Sequence, residues 1–156
     1  MTEEKNKEAP FVQINTQYVK DLSFEAPNNP NSLIAMKQPP EISINVDVKG
    51  AKFNEENSLY TVNLFIKAEA KDKETKKDIF LCELEYGALV TLKVPAEQVE
   101  PFLLVEIPHL MFPAVRNIIS DATRDGGFPP LMINPIDFSA IYRQRIAEKQ
   151  KAEKAN

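Results

Sequence analysis

The chain of 156 residues has no tryptophan, one histidine, one cysteine and four glycines. Each scarcity removes a class of function. A single thiol, Cys82, cannot build an internal disulfide framework and fits a reducing compartment. His109 alone cannot close a metal site, which needs several nitrogen, sulfur or carboxylate ligands at short range. Gly50, Gly87, Gly126 and Gly127 write neither a G-x-G-x-x-G turn nor a P-loop, so nucleotide binding through those loops is excluded. No run of about 18 apolar residues occurs, which predicts no membrane insertion. The opening decapeptide MTEEKNKEAP mixes both signs of charge around no apolar centre and does not read as a secretory signal. The expectation is a cytoplasmic protein without cofactor or metal.

What is present is ordinary for a globular domain: 43% hydrophobic and 27% charged residues, enough for one core. The net charge of −4 is unevenly spread, because residues 143–156 carry +3 and leave −7 on the rest. An acidic body argues against nucleic acid as a ligand, since phosphate binding needs a basic surface. Residues 1–10 read as a disordered start and 143–156 as a charged, frayed or disordered tail, around one domain at 11–142.

Alternation sets the strands. Val12, Ile14, Thr16 and Tyr18 alternate with polar residues, as do Ile42, Ile44, Val46 and Val48, and then Tyr60, Val62, Leu64 and Ile66. Residues 26–40, rich in Pro and Asn, read as a long binding loop carrying Leu33, Ile34 and Met36. A fourth strand runs from about Ile79 to Val94. Its even positions, among them Phe80, Cys82, Leu84 and Tyr86, are apolar, and its odd positions include Leu81, Glu83 and Glu85. Gly87 suggests a bulge or bend within it. Helical spacing follows: Val99 to Ile107, stopped by Pro108, then a helix opened by Pro113 and capped at Gly126, then a last helix after Pro135. Four strands followed by helices predict an α+β fold, an antiparallel sheet with helices packed on one face.

Little of this is catalytic. Cys82 sits on an apolar face, where a thiol behaves as a small hydrophobe. The carboxylate pairs Glu83/Glu85 and Asp121/Asp125 lack the contrasting environments that drive two acids into different roles. No enzymatic site is expected. The odd face of the fourth strand, with Leu81 among carboxylates, reads either as plain solvent face or as a docking surface for a cationic partner.

Three stretches taken in order resemble the SecB family of bacterial export chaperones: Asp21–Asn28 (DLSFEAPN), Phe80–Tyr86 (FLCELEY), and Pro108–Tyr142 with its GGFPPLMINPIDFSAIY ending. The similarity spans about Phe11 to Tyr142. It implies a four-stranded antiparallel sheet with helices on one side and assembly as a dimer of dimers, a homotetramer. It also implies an ATP-independent holding chaperone that keeps precursor proteins unfolded and passes them to SecA, the motor of the export channel. Matched position by position, Asp21, Glu25, Leu81 and Glu83 fall on the family's SecA-docking residues. Cys82, Leu84 and Tyr86 fall on residues that support the tetramer. The expected client surface is a groove joining the long loop to the helices: Leu33, Ile34, Met36, Ile42, Ile44, Phe138 and Tyr142. The chain departs from the family pattern in lacking a Trp before Pro39-Pro40-Glu41, in Gly127 standing where a hydroxyl residue is expected, and in its basic tail. The rival readings are an adaptor or antitoxin-associated chaperone on the same fold and a small-ligand carrier, which would need a closed pocket with convergent polar groups.

Overall fold

The computed structural model describes residues 9–54 and 56–155. The disordered start expected for residues 1–10 therefore lies outside the described residues as far as residue 8. Four antiparallel strands form one sheet: β1 (Phe11–Glu25), β2 (Glu41–Asn54), β3 (Leu59–Lys71) and β4 (Asp78–Lys93), in the order β1-β4-β3-β2. A short helix α1 (Asn31–Ala35) interrupts the segment read from sequence as an unstructured loop.

β3 and β4 occupy the centre, and their even residues point to one face. Val62, Leu64, Ile66 and Ala68 on β3 oppose Ala88, Tyr86, Leu84 and Cys82 on β4. Over them lies a helical rod, Ala96–Asp125, made of α2 (Ala96–Pro101), a π-helical turn (Phe102–Glu106) and α3 (Ile107–Asp125). Leu103, Ile107, Met111, Val115 and Ile119 recur every fourth residue along the rod and are almost fully buried in the main core. That spacing gives one helix face. The rod is long and apolar enough by composition to cross a membrane, but its buried stripe is spent on the chain's own sheet.

Both prolines expected to divide this helix lie inside it. The Ile107 N–H reaches back to the Phe102 carbonyl in the wide turn, and Pro108, which follows, has no N–H to place. Burial of the stripe on both sides of Pro108 and Pro113 outweighs their local cost. The rod ends in a Schellman motif: Gly127 N donates to Arg124 O at 3.0 Å and Phe128 N to Thr123 O at 3.2 Å. Gly126 is the C-cap expected from the sequence, and the left-handed residue is the next one, Gly127, with φ +91°. A side chain at Gly127 would be strained there.

β1 also departs from its sequence reading. Register shifts between Ile14 and Thr16, and between Val19 and Asp21, leave Asn15 and Lys20 as extra residues. Val12 and Ile14 therefore face the helices while Thr16 and Tyr18 face away, and Leu22 and Phe24 face the helices again. Gly87 is not bulged. It pairs regularly with Asn63 and Tyr18, whose ring atoms lie 2.6 Å from where a Cβ would be.

α4 (Phe138–Lys154) starts at Asp137, whose side chain accepts the Ala140 N–H at 3.0 Å. It continues helical through the charged stretch to Lys154, and most side chains there are exposed. Arg145 ties it to the edge of the sheet through Asp47 and Val48.

Candidate functional site

Two surfaces stand out, on different parts of the chain. The first is the sheet face turned away from the helices. Register places Glu25 beside Leu81, Ser23 beside Glu83 and Asp21 beside Glu85, while Lys67 and Phe65 flank Glu83 and Glu85 from β3. The two bulges in β1 are opposite flips that cancel, which is why Asp21 and Glu25 emerge on this face. A depression of about 400 Å³ opens among Asp21, Asp47, Phe65, Lys67, Glu83 and Glu85.

Its carboxylates are not equivalent. Glu85 is held by Lys20 Nζ at 3.3 Å and by Asn63 Nδ2 at 2.9 Å. Asp21, Glu25 and Glu83 make no ion pair among the described residues. Uncommitted carboxylates beside a half-buried Leu81 suit a partner that brings cations next to an apolar group. Asp21, Glu25, Leu81 and Glu83, the positions matched through the family resemblance, all lie on this face. Phe65 and Asp47 join them, and their membership depends on which strands become neighbours.

The second surface is an apolar groove of about 490 Å³ between the segment leading into β2 and the segment following α3. Met36 to Pro40 and Ile42 form one side, and Phe128 to Leu131 the other, with Phe80 below. Its floor is an aromatic cluster: the Phe80 and Phe128 ring centroids are 5.2 Å apart, and Phe24 lies 5.7 Å from Phe80. Together with Ala70 and Ile79 these rings make a second core separate from the main one. The signal for it in the sequence is Phe128-Pro129-Pro130, an aromatic residue followed by two that cannot continue a helix.

Of the seven residues expected to line one client groove, the structure brings Met36 and Ile42 into this one. Leu33 packs over Gly127, and Ile34 stands 82% exposed outside it. Phe138 is a correction: it is 3% exposed, its ring 6.4 Å from that of Phe112 in the main core, closed to any ligand. Ile44 and Tyr142 are half-buried against that same core. Burial, and then the nearby Glu100 charge, raise the Tyr142 phenol above its ordinary range. Among the described residues, the seven therefore do not line this groove together.

Cys82, Leu84 and Tyr86, expected to support the tetramer, sit behind the surface and not on it. They lie inside the chain's own core, at 0%, 3% and 8% exposure, and present no outer surface. Their cross-strand neighbours do: Leu22 opposite Leu84 and Val19 opposite Tyr86 are exposed on the same sheet face, beyond the cover of the helices. The Cys82 thiol is pushed up to about 11, first by burial and then by the Glu83 charge, so it is protonated at neutral pH.

The family described as "Preprotein translocase subunit SecB" matches residues 5–149. The chain belongs to the SecB family. It is 47% identical over 143 residues to the protein-export protein SecB of Rhodospirillum rubrum, covering 92% of this chain and 86% of that one. It is 42% identical over 153 residues to protein-export protein SecB 1 of Gluconobacter oxydans, covering 94% and 88%. A SecB-like chaperone of Mycobacterium tuberculosis, solved with an antitoxin peptide, shares the fold with a TM-score of 0.66 at 13% identity, over 80% of this chain and 90% of that one. As a SecB protein the chain is a holding chaperone of Sec-dependent protein export, and its four-stranded antiparallel sheet with helices on one face is the SecB-like fold.

Proposed function

We propose that this SecB protein works in the cytoplasm as a homotetramer, holds unfolded precursors without ATP and hands them to SecA. The observation that carries the reading is the separation of two surfaces by register on one strand. β4 sends Leu81, Glu83 and Glu85 to the acidic face and Phe80 to the apolar groove. A chaperone that must be recognised by a motor while still loaded needs such a division.

The groove suits promiscuous capture. Met36 is flexible and polarisable and repacks around different side chains. Pro39, Pro40, Pro129 and Pro130 on its walls carry no backbone N–H, so client binding rests on side-chain burial more than on strand pairing. Asp21, Glu25, Leu81 and Glu83 are the proposed SecA contacts, with Glu85 already neutralised by Lys20. Leu22 and Val19 on β1 are the proposed assembly contacts through which Cys82, Leu84 and Tyr86 act.

The test is aggregation of a refolding polypeptide. The purified protein should suppress it without nucleotide, and Met36→Ser with Ile42→Ser should weaken suppression by removing apolar contact area, roughly 25 cal/mol per Å². A requirement for ATP would defeat the mechanism. Full activity in the double variant would defeat the groove.

A further inference from the structure

Among the described residues Thr123 is the buried polar side chain of the core, with 0% exposure. A threonine inside a helix ordinarily bonds back to the preceding turn, and this one does, donating toward Ile119 O at 3.1 Å and Ser120 O at 2.9 Å. That leaves the hydroxyl oxygen free to accept. What it accepts is the Leu131 N–H, at 2.9 Å, from beyond the end of the rod. The Thr123 carbonyl meanwhile accepts the Phe128 N–H.

One residue therefore holds both ends of the Phe128-Pro129-Pro130-Leu131 wall. The wall has no other backbone donors, because the two residues between its ends are prolines. Phe128 and Leu131 cannot shift outward without giving up one of these two hydrogen bonds, and the groove's width depends on where those two side chains stand. On the far side Met36 and Ile42 belong to other segments, so the wall's position fixes the gap between them.

We infer that Thr123 is a positioning residue for client binding: its hydroxyl, buried behind the groove, sets the place of the Phe128–Leu131 wall and so the fit of apolar client side chains. This rests on the reading of the groove as the client surface and adds to it a residue that no client touches.

The test compares Thr123→Val, which keeps the shape and removes the hydroxyl, with Thr123→Ser, which keeps the hydroxyl. Affinity is measured by fluorescence for a labelled, permanently unfolded polypeptide, with SecA affinity and assembly mass measured on the same samples. Thr123→Val should bind client about 5–10-fold more weakly, with faster exchange of the Leu131 amide. Its SecA affinity and mass should be unchanged, because the docking face lies across the sheet. Thr123→Ser should stay within about twofold of the parent. Equal losses in Val and Ser variants, or a parallel fall in SecA affinity and mass, would show a general packing role and overturn the inference. So would unchanged client affinity in Thr123→Val while Met36→Ser weakens it. If Met36→Ser binds client normally, the groove itself is misread, and Leu131 exchange still decides whether Thr123 holds the wall.

Discussion

Arg145 on α4 and Asp47 on β2 meet across the edge of the sheet: Nη2 lies 2.5 Å from Asp47 Oδ1 while Nη1 donates to Val48 O at 2.8 Å. The guanidinium thus occupies an unpaired carbonyl of an edge strand and a carboxylate at the rim of the acidic depression. It holds a helix whose distal half makes few apolar contacts.

Replacing Arg145 by Ala should loosen α4 more than it destabilises the fold. The pair is partly exposed, so a loss of no more than about 1 kcal/mol is expected. Hydrogen exchange over residues 138–154 should quicken while the sheet amides keep their protection. Unchanged exchange in α4 would mean that Phe138, Ile141 and Tyr142 hold the helix unaided.

Assembly is tested by mass. Light scattering should give about four times the 17.7 kDa of one chain. Leu22→Lys places a charge on the apolar strip of β1 that the helices leave uncovered, and should shift the mass toward smaller species while leaving the chain folded. Cys82→Tyr should do so less cleanly, since it overpacks the interior by about 1–3 kcal/mol before any contact is touched. A parent protein that is monomeric at micromolar concentration would contradict the tetramer.

Docking should separate from holding. Glu83→Lys or Asp21→Lys reverses charge on the face proposed for SecA, where neither carboxylate has an ion-pair partner among the described residues. The fold and the mass should be unaltered, client affinity should be kept, and SecA affinity should drop by about tenfold or more. Added salt should weaken the parent complex in the same direction. If both activities fell together, Glu83 would be a structural residue.

The Cys82 thiol gives a pH signature. Its folded value is raised from 9.0 to about 11, so the folded state favours the protonated form. The resulting stability is complete below about pH 9 and is lost as pH rises toward 11, by up to roughly 2–3 kcal/mol. Cys82→Ala should flatten that part of the slope in denaturant midpoints taken between pH 8.5 and 10.5. Slow alkylation of the native thiol, speeding up in urea, is the companion measurement. A thiol that alkylates at the free rate in the folded protein would contradict its burial.

The central strands were legible because alternation is local: one apolar face on β3 and β4 is enough to place Cys82, Leu84 and Tyr86 inward and Leu81, Glu83 and Glu85 outward. Legibility failed where a local rule met a longer-range demand. Pro108 and Pro113 signal helix ends, yet the stripe from Leu103 to Ile119 finds its sheet only if the helix continues. Val12 to Tyr18 keep a clean period of two, yet the bulge at Asn15 turns half of them over.

The sequence by itself determined the number of strands, their place before the helices along the chain, the acidic side of β4 and the absence of a nucleotide loop, since these follow from composition and spacing within a few residues. Tertiary structure alone decided that Asp21 and Glu25 stand beside Glu85 and Leu81, that Phe24, Phe80 and Phe128 gather beneath Met36 and Ile42, and that Phe138 is core and not ligand surface. Those placements depend on register shifts and on contacts between segments up to about a hundred residues apart. The hydrophobic effect that drives them is not directional and leaves no local mark in the chain.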